Sequence, residues 1–165
     1  MSSARAGKTV VLGLGNPVVS DDRVGLAVAG ELQRLLEAAP LPDVEVAFST
    51  RGGFELIDLL SGYRRAILVD CLFVTDPQPG RVRELEPSAV AGAARRLGAH
   101  SLTVPEALTF ARQMEIPMPE EIQVFGVEGA ELSLLSEEMT PEVEAAVEPL
   151  AARLYRLLAE GAAAV

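Results

Sequence analysis

Short apolar runs and segments of helical periodicity take turns along the chain. Residues 8–14 (KTVVLGL) are a near-continuous apolar run ending at Gly15 and Asn16, the pattern of a buried parallel strand entering a tight turn. Over Val24–Ala38 the apolar Val24, Leu26, Val28, Leu32 and Leu35 recur at helical spacing, with Glu31, Arg34 and Glu37 on the opposite side, so an amphipathic helix follows the strand. The order repeats, with residues 44–48 reading as a strand, 53–60 as a helix and 65–72 (RAILVDCL) as a central strand. Such alternation predicts right-handed crossovers and a three-layer α/β/α fold around a mostly parallel, twisted sheet of about five strands. Residues 81–85 follow Pro77, Pro79 and Gly80 and suit a short strand whose partner the pattern does not assign. Thr103, Val104, Pro105 and Glu106 form a capping box that opens a helix running to residue 114, which puts His100 just before a helix. Residues 122–127 (IQVFGV) read as another strand. Thr140 and Pro141 then open a last helix, striped by Val143, Val147, Leu150, Leu154, Leu157 and Leu158 and expected to end at Gly161.

Composition narrows the possibilities. At 165 residues with 49% apolar content, the chain has the length and buried surface for one domain, expected to span residues 1–165. With 24 acidic against 14 basic residues the net charge is −10, which repels a phosphate backbone and argues against nucleic acid as a partner. Cys71 is the only cysteine, so no intrachain disulfide can form, and a reducing cytoplasm is the expected compartment. The N-terminal apolar stretch is short and lacks a small-residue cleavage site, so it reads as a strand and not a signal. The longest apolar run, residues 66–74, is interrupted by Asp70 and falls short of the roughly 20 residues a membrane helix needs, so no membrane insertion is expected.

Candidate chemistry collects where strands end. Gly13, Leu14, Gly15 and Asn16 let the backbone turn sharply at the carboxyl end of a strand, where open α/β sheets place ligands. A dinucleotide fingerprint needs a glycine where Val18 stands, and a phosphate loop needs a Gly-Lys-Ser/Thr that is absent. Asp21 and Asp22 follow instead, and their charge favours a cation over a phosphate; equally, either can cap the helix that begins there, and Asp21 suits the cap. Asp70 closes a central strand, where a buried carboxylate needs a partner, either in the same cleft as Asp22 or among backbone N–H groups at the strand end. His100 is the only histidine; a lone loop histidine is commonly an ordinary surface residue, but this one can hang over the sheet edge toward the two carboxylates. Two oxygens and one imidazole nitrogen suit a borderline divalent ion and leave positions open for a substrate. Cys71, one residue after Asp70, should face the opposite side of its strand and pack in the core.

The run GLGNPVVSDDRVG at positions 13–25 resembles the Gly-x-Gly-Asn-x4-Asp-[Asp/Glu]-x-x-Gly signature of the hydrogenase maturation proteases. RAILVDCL, GAHSLTVPEAL at 98–108, and the stretch from Val124 to Leu154 are similar, in that order, to the family's acid-ending strand, its histidine loop, and its closing strand, acidic linker and last helix. The resemblance implies a phosphorylase/hydrolase-like fold and an endopeptidase that removes a C-terminal peptide from the nickel-iron hydrogenase large-subunit precursor after nickel insertion. It places metal contacts on Asp22, Asp70 and His100, from which any catalytic groups would also be drawn. The nickel would arrive with the substrate, with no resident cofactor, and the enzyme would act as a monomer. Two positions depart from the family pattern: Arg23 stands where many members have Gly, and Phe48 where the family usually carries an Asp before a glycine turn. A non-catalytic chaperone that holds the nickel-loaded precursor is an alternative. Peptidyl-tRNA hydrolase shares GLGNP, but its histidine follows the motif closely, and here none precedes position 100.

Overall fold

The computed structural model describes residues 4–50, 53–87, 103–131 and 133–163. The first apolar run is strand β1 (Thr9–Leu14), buried along its whole length. A 3-10 turn (Ser20–Arg23) leads directly into helix α1 (Val24–Ala38). Strand β2 (Val44–Ser49), helix α2 (Phe54–Leu60) and strand β3 (Arg65–Leu72) follow as the periodicity predicts. Next come strand β4 (Val82–Leu85), helix α3 (Val104–Gln113), strand β5 (Glu121–Glu128) and helix α4 (Pro141–Ala163).

The five strands form one sheet in the order β2-β1-β3-β5-β4, with β1, β2, β3 and β5 parallel and β4 antiparallel to β5. Alternation of side chains across each strand separates two cores. Val10, Leu12, Ala66, Leu68 and Val124 face the layer of α2 and α3. Val11, Ile67, Val69, Phe125 and Val127 face α1 and α4. A sheet covered on both faces explains why its central strands read as unbroken apolar runs. Thr103 closes the predicted capping box, its hydroxyl accepting from the Glu106 N–H while the Glu106 carboxylate accepts from the Thr103 N–H.

Two expectations are refined here. The unassigned strand is β4, which pairs with β5 at the sheet edge and is fixed there by Glu128. That carboxylate is buried, accepting from Arg83 Nε at 2.6 Å and from the Gln78 N–H at 2.6 Å. Those contacts, the Gln78 N–H foremost, hold Glu128 below the usual carboxylate range despite its burial. Gly161 does not end α4, which continues to Ala163. Gly161 keeps a negative φ, so the left-handed geometry of a glycine C-cap is not adopted there.

The connections set the place of the site. From β1 the chain crosses over α1 to β2 on one side, then returns over α2 to β3 on the other side of β1. The chain therefore reverses direction between β1 and β3, and the crevice outside the carboxyl ends of those two strands is the switch point at which doubly wound sheets bind ligands.

Candidate active site

The glycines of the first motif act through what they leave out. A Cβ at Gly13 would lie 2.5 Å from the Gly25 carbonyl oxygen and 2.6 Å from Ala29 Cβ. A Cβ at Gly25 would lie 2.2 Å from the Leu14 oxygen and 2.3 Å from the Val69 oxygen. Together these two positions let α1 lie directly against the ends of β1 and β3. Gly15 gives the third close approach, since a Cβ there would stand 2.2 Å from the Asp22 carbonyl oxygen. Asn16 folds the loop back on itself: its N–H donates to the Asp22 carbonyl at 3.3 Å and its Oδ1 accepts from the Val18 N–H at 3.1 Å. The motif thus delivers the Ser20–Arg23 turn to the carboxyl end of the sheet, where it packs against β3.

The two adjacent carboxylates of that turn have different surroundings. Asp21 is fully buried and caps nothing in its own helix. It reaches across to the segment between β5 and α4, where Oδ2 accepts from the N–H groups of Ala130 at 2.7 Å and Glu131 at 2.8 Å. Oδ1 accepts from the Thr140 N–H at 2.7 Å, and the Thr140 hydroxyl lies 3.0 Å from both oxygens. The expected cap is therefore replaced by a long-range tie, in which the N–H groups of Ala130, Glu131 and Thr140 converge on the Asp21 carboxylate. The tie is reinforced by a bridge between Val19 and Leu135 and by the Ser20 hydroxyl donating to the Glu138 carbonyl at 3.1 Å. Nothing in the sequence marks it, as the partners lie more than a hundred residues away.

Asp22 is also buried, at 3% exposure, and directly precedes the helix at the end of the β1 loop. Asp70 is half-buried near the end of β3, opposite Gly126 of β5, with Oδ1 accepting from the Cys71 N–H at 2.8 Å. One oxygen of Asp70 thus meets backbone at the strand end, as the ordinary alternative required. Alternation on β3 turns Asp70 toward the α2 and α3 layer, and Cys71, 3% exposed, packs in the opposite core as expected. The start of α3 belongs to that same layer. His100, three residues before the cap of α3, lies outside the described residues, as does the glycine turn at 51–52. Among the described residues no three His, Cys, Asp or Glu side chains come together as a metal site. One carboxylate escaped the sequence reading: Glu55, in the first turn of α2, accepts from Ser49 Oγ at 2.6 Å at the carboxyl end of β2. Phe48 beside it, in the place of the family's acid, is 42% exposed.

A doubly wound α/β/α sheet with acids at its switch point defines a class of site and not yet a reaction. The chain belongs to the hydrogenase maturation protease family, enzymes that hydrolyse peptide bonds, for that family's sequence profile matches residues 26–157. Solved structures share the fold. The maturating endopeptidase HybD from E. coli superposes with a TM-score of 0.77 at 23% identity, over 93% of each chain. The maturation protease HycI from Thermococcus kodakarensis gives 0.66 at 19% identity over 92% of each. A hydrogenase 2 maturation peptidase from Thaumarchaeota archaeon SCGC_AB-539-E09 gives 0.60 at 26% identity, over 92% of this chain and 97% of that one. No curated protein sequence matches.

Proposed function

We propose that this chain removes the C-terminal peptide of a nickel-iron hydrogenase large-subunit precursor once nickel has been inserted, and that Asp22, Asp70 and His100 recognise that nickel. The observation that carries the reading is the packing of the turn that holds Asp22 against β3, the strand that holds Asp70 near its carboxyl end, beside the point where the chain reverses direction. Two carboxylate oxygens and one imidazole nitrogen form a donor set for a borderline divalent ion and leave coordination positions to the precursor. The nickel comes with the substrate, so the enzyme keeps no cofactor of its own. Gripped in this way, the ion either polarises the scissile carbonyl or holds the attacking water. The Asp21 tie keeps the turn that carries Asp22 in place. Among the described residues no helix is long and apolar enough to cross a membrane.

The test is to incubate the protein with its large-subunit precursor, with and without nickel, and read the precursor mass. Loss of a C-terminal peptide from the nickel-loaded precursor alone is the expected result. An unchanged mass in every condition would sink the reading and favour a chaperone that only holds the precursor. Replacing His100 by Ala should abolish processing, and a normal rate in H100A would remove His100 from the set.

A further inference from the structure

We propose that Arg23 is a specificity-determining residue that binds a carboxylate of the polypeptide substrate. The proposal rests on the endopeptidase reading above and adds a residue to it. Arg23 is the last residue of the 3-10 turn, directly after Asp22, and its Cα is the third-nearest neighbour of a Cβ built on Gly15, at 3.4 Å. It therefore belongs to the tight junction of the β1 loop and α1 at the carboxyl edge of the sheet.

Arg23 and Arg65 each hold a buried Nε without a hydrogen bond, but Arg65 has the Glu121 carboxylate 3.2 Å away and Arg23 has none among the described residues. Arg34 is paired with Glu31, Arg83 with Glu128, Arg65 with Glu121 and Arg153 with Glu84. Arg23 has no such partner among the described residues, and its Nε is buried without any hydrogen bond. Asp21, two residues earlier, cannot supply one cheaply, since both its oxygens are committed to Ala130, Glu131 and Thr140. A buried guanidinium N–H without an acceptor is unfavourable, and because Arg23 as a whole is only half-buried, part of its side chain stays within reach of a ligand that brings an acceptor. The planar fork of a guanidinium matches a carboxylate through two parallel hydrogen bonds. On a polypeptide substrate the groups that fit are an Asp or Glu side chain and the chain-terminal carboxylate. In a chain with a net charge of −10, one cation beside the acidic turn also offsets the repulsion such a group would meet.

The experiment measures steady-state cleavage of the nickel-loaded precursor by the wild-type protein, R23Q and R23K, together with their melting temperatures. Expected are a 10- to 100-fold rise of KM in R23Q, by the strength of charge-assisted hydrogen bonds (roughly this range), a kcat within about 3-fold, partial recovery in R23K, and a Tm no lower than wild type. Two precursor variants distinguish the sources: one with the acidic side chains of its C-terminal extension converted to amides, the other with its terminal carboxylate amidated. The variant that lacks the bound group should raise KM for the wild-type enzyme and show no further rise with R23Q, the coupling expected of a direct contact. An unchanged KM in R23Q overturns the proposal, as does a fall in Tm that accounts for all lost activity, or full additivity of R23Q with both precursor variants. A wild-type protein that cleaves no precursor overturns the endopeptidase reading itself, and the proposal with it.

Discussion

The two ends of the sheet use charge in opposite ways. At the amino end, ionisable groups are matched to one another. Lys8 Nζ lies 2.7 Å from Glu45, the Tyr63 hydroxyl donates to the same carboxylate, and Arg5 stacks 4.9 Å above the Tyr63 ring. Beside them Arg65 pairs with Glu121 and donates to Gln123. At the carboxyl end Glu128 pairs with Arg83, whereas Asp21 takes backbone N–H groups and the Thr140 hydroxyl, one oxygen of Asp70 takes the Cys71 N–H, and Arg23 has no carboxylate partner among the described residues. The Glu45 and Glu121 carboxylates at the amino end are each met by a neighbouring cation. The carboxyl end sets Asp22 and Arg23 on a turn that packs against β3, the strand that carries Asp70, and the proposed function assigns the ligand to that end. On the proposed function the carboxyl end carries the chemistry together with the Asp21 tie, and the amino end contributes surface ion pairs.

The contrast is broken most directly at the carboxyl end. D70N keeps an oxygen for the Cys71 N–H and D22N keeps the volume of a buried side chain, so both should fold. Each should lower precursor processing by about 100-fold or more, as expected when a metal-contacting charge is removed, while denaturation midpoints barely move. Processing within a few-fold of wild type in both variants would dissolve the distinction between the two ends. D21A divides the carboxyl end itself. It leaves the N–H groups of Ala130, Glu131 and Thr140 without their acceptor, at a cost of about 3 kcal/mol in urea unfolding. Activity in D21A should fall in step with the loss of folded protein, at temperatures where D22N is fully folded and inactive.

How much of this could be read from the sequence depends on how local the cause is. The strands β1 and β3, the helix α1 and the capping box at Thr103 come from spacing within a few residues, and periodicity alone finds them. Gly13, Gly15 and Gly25 were legible as a turn and a close helix contact, because removing a side chain has few other uses in such a motif. The role of Asp21 was not legible. A helix start invites a capping assignment, and the donors that win Asp21 are placed by the β5–α4 segment, which only the completed fold brings near. The pairing of β4 was hidden for the same reason, since the buried Glu128 that fixes it lies 45 residues away from Arg83. Asp22 and Asp70 were set in one cleft on the expectation that strand ends in an alternating α/β pattern converge, and their part as metal contacts came from the family resemblance. Arg23 was visible as a departure from the family pattern, but its unmatched guanidinium needed the packing around it.

The smallest effect concerns the amino end and has a sign in pH. The Lys8 hydrogen bond, then that of Tyr63, holds Glu45 below the ordinary carboxylate range of its 4.5 reference. The unfolded chain therefore binds a proton more readily than the folded one. This contribution to stability is complete above the unfolded pKa and is lost as pH falls through the lower folded value. Tyr63 works at the other limit: burial, then the bond to Glu45, raises its phenol from 10.0 to about 12. Its contribution is complete below pH 10 and is lost as pH rises toward about 12. E45Q should flatten both flanks of the stability profile, and Y63F should flatten the alkaline flank. The Glu45 side chain is 39% exposed, so the loss at neutral pH should be under about 1 kcal/mol. Neither variant should change kcat or KM for the precursor. Urea midpoints measured across pH, set beside cleavage at pH 7, check both statements together. A processing defect in E45Q comparable to that of D70N would mean that the amino end also takes part in the chemistry.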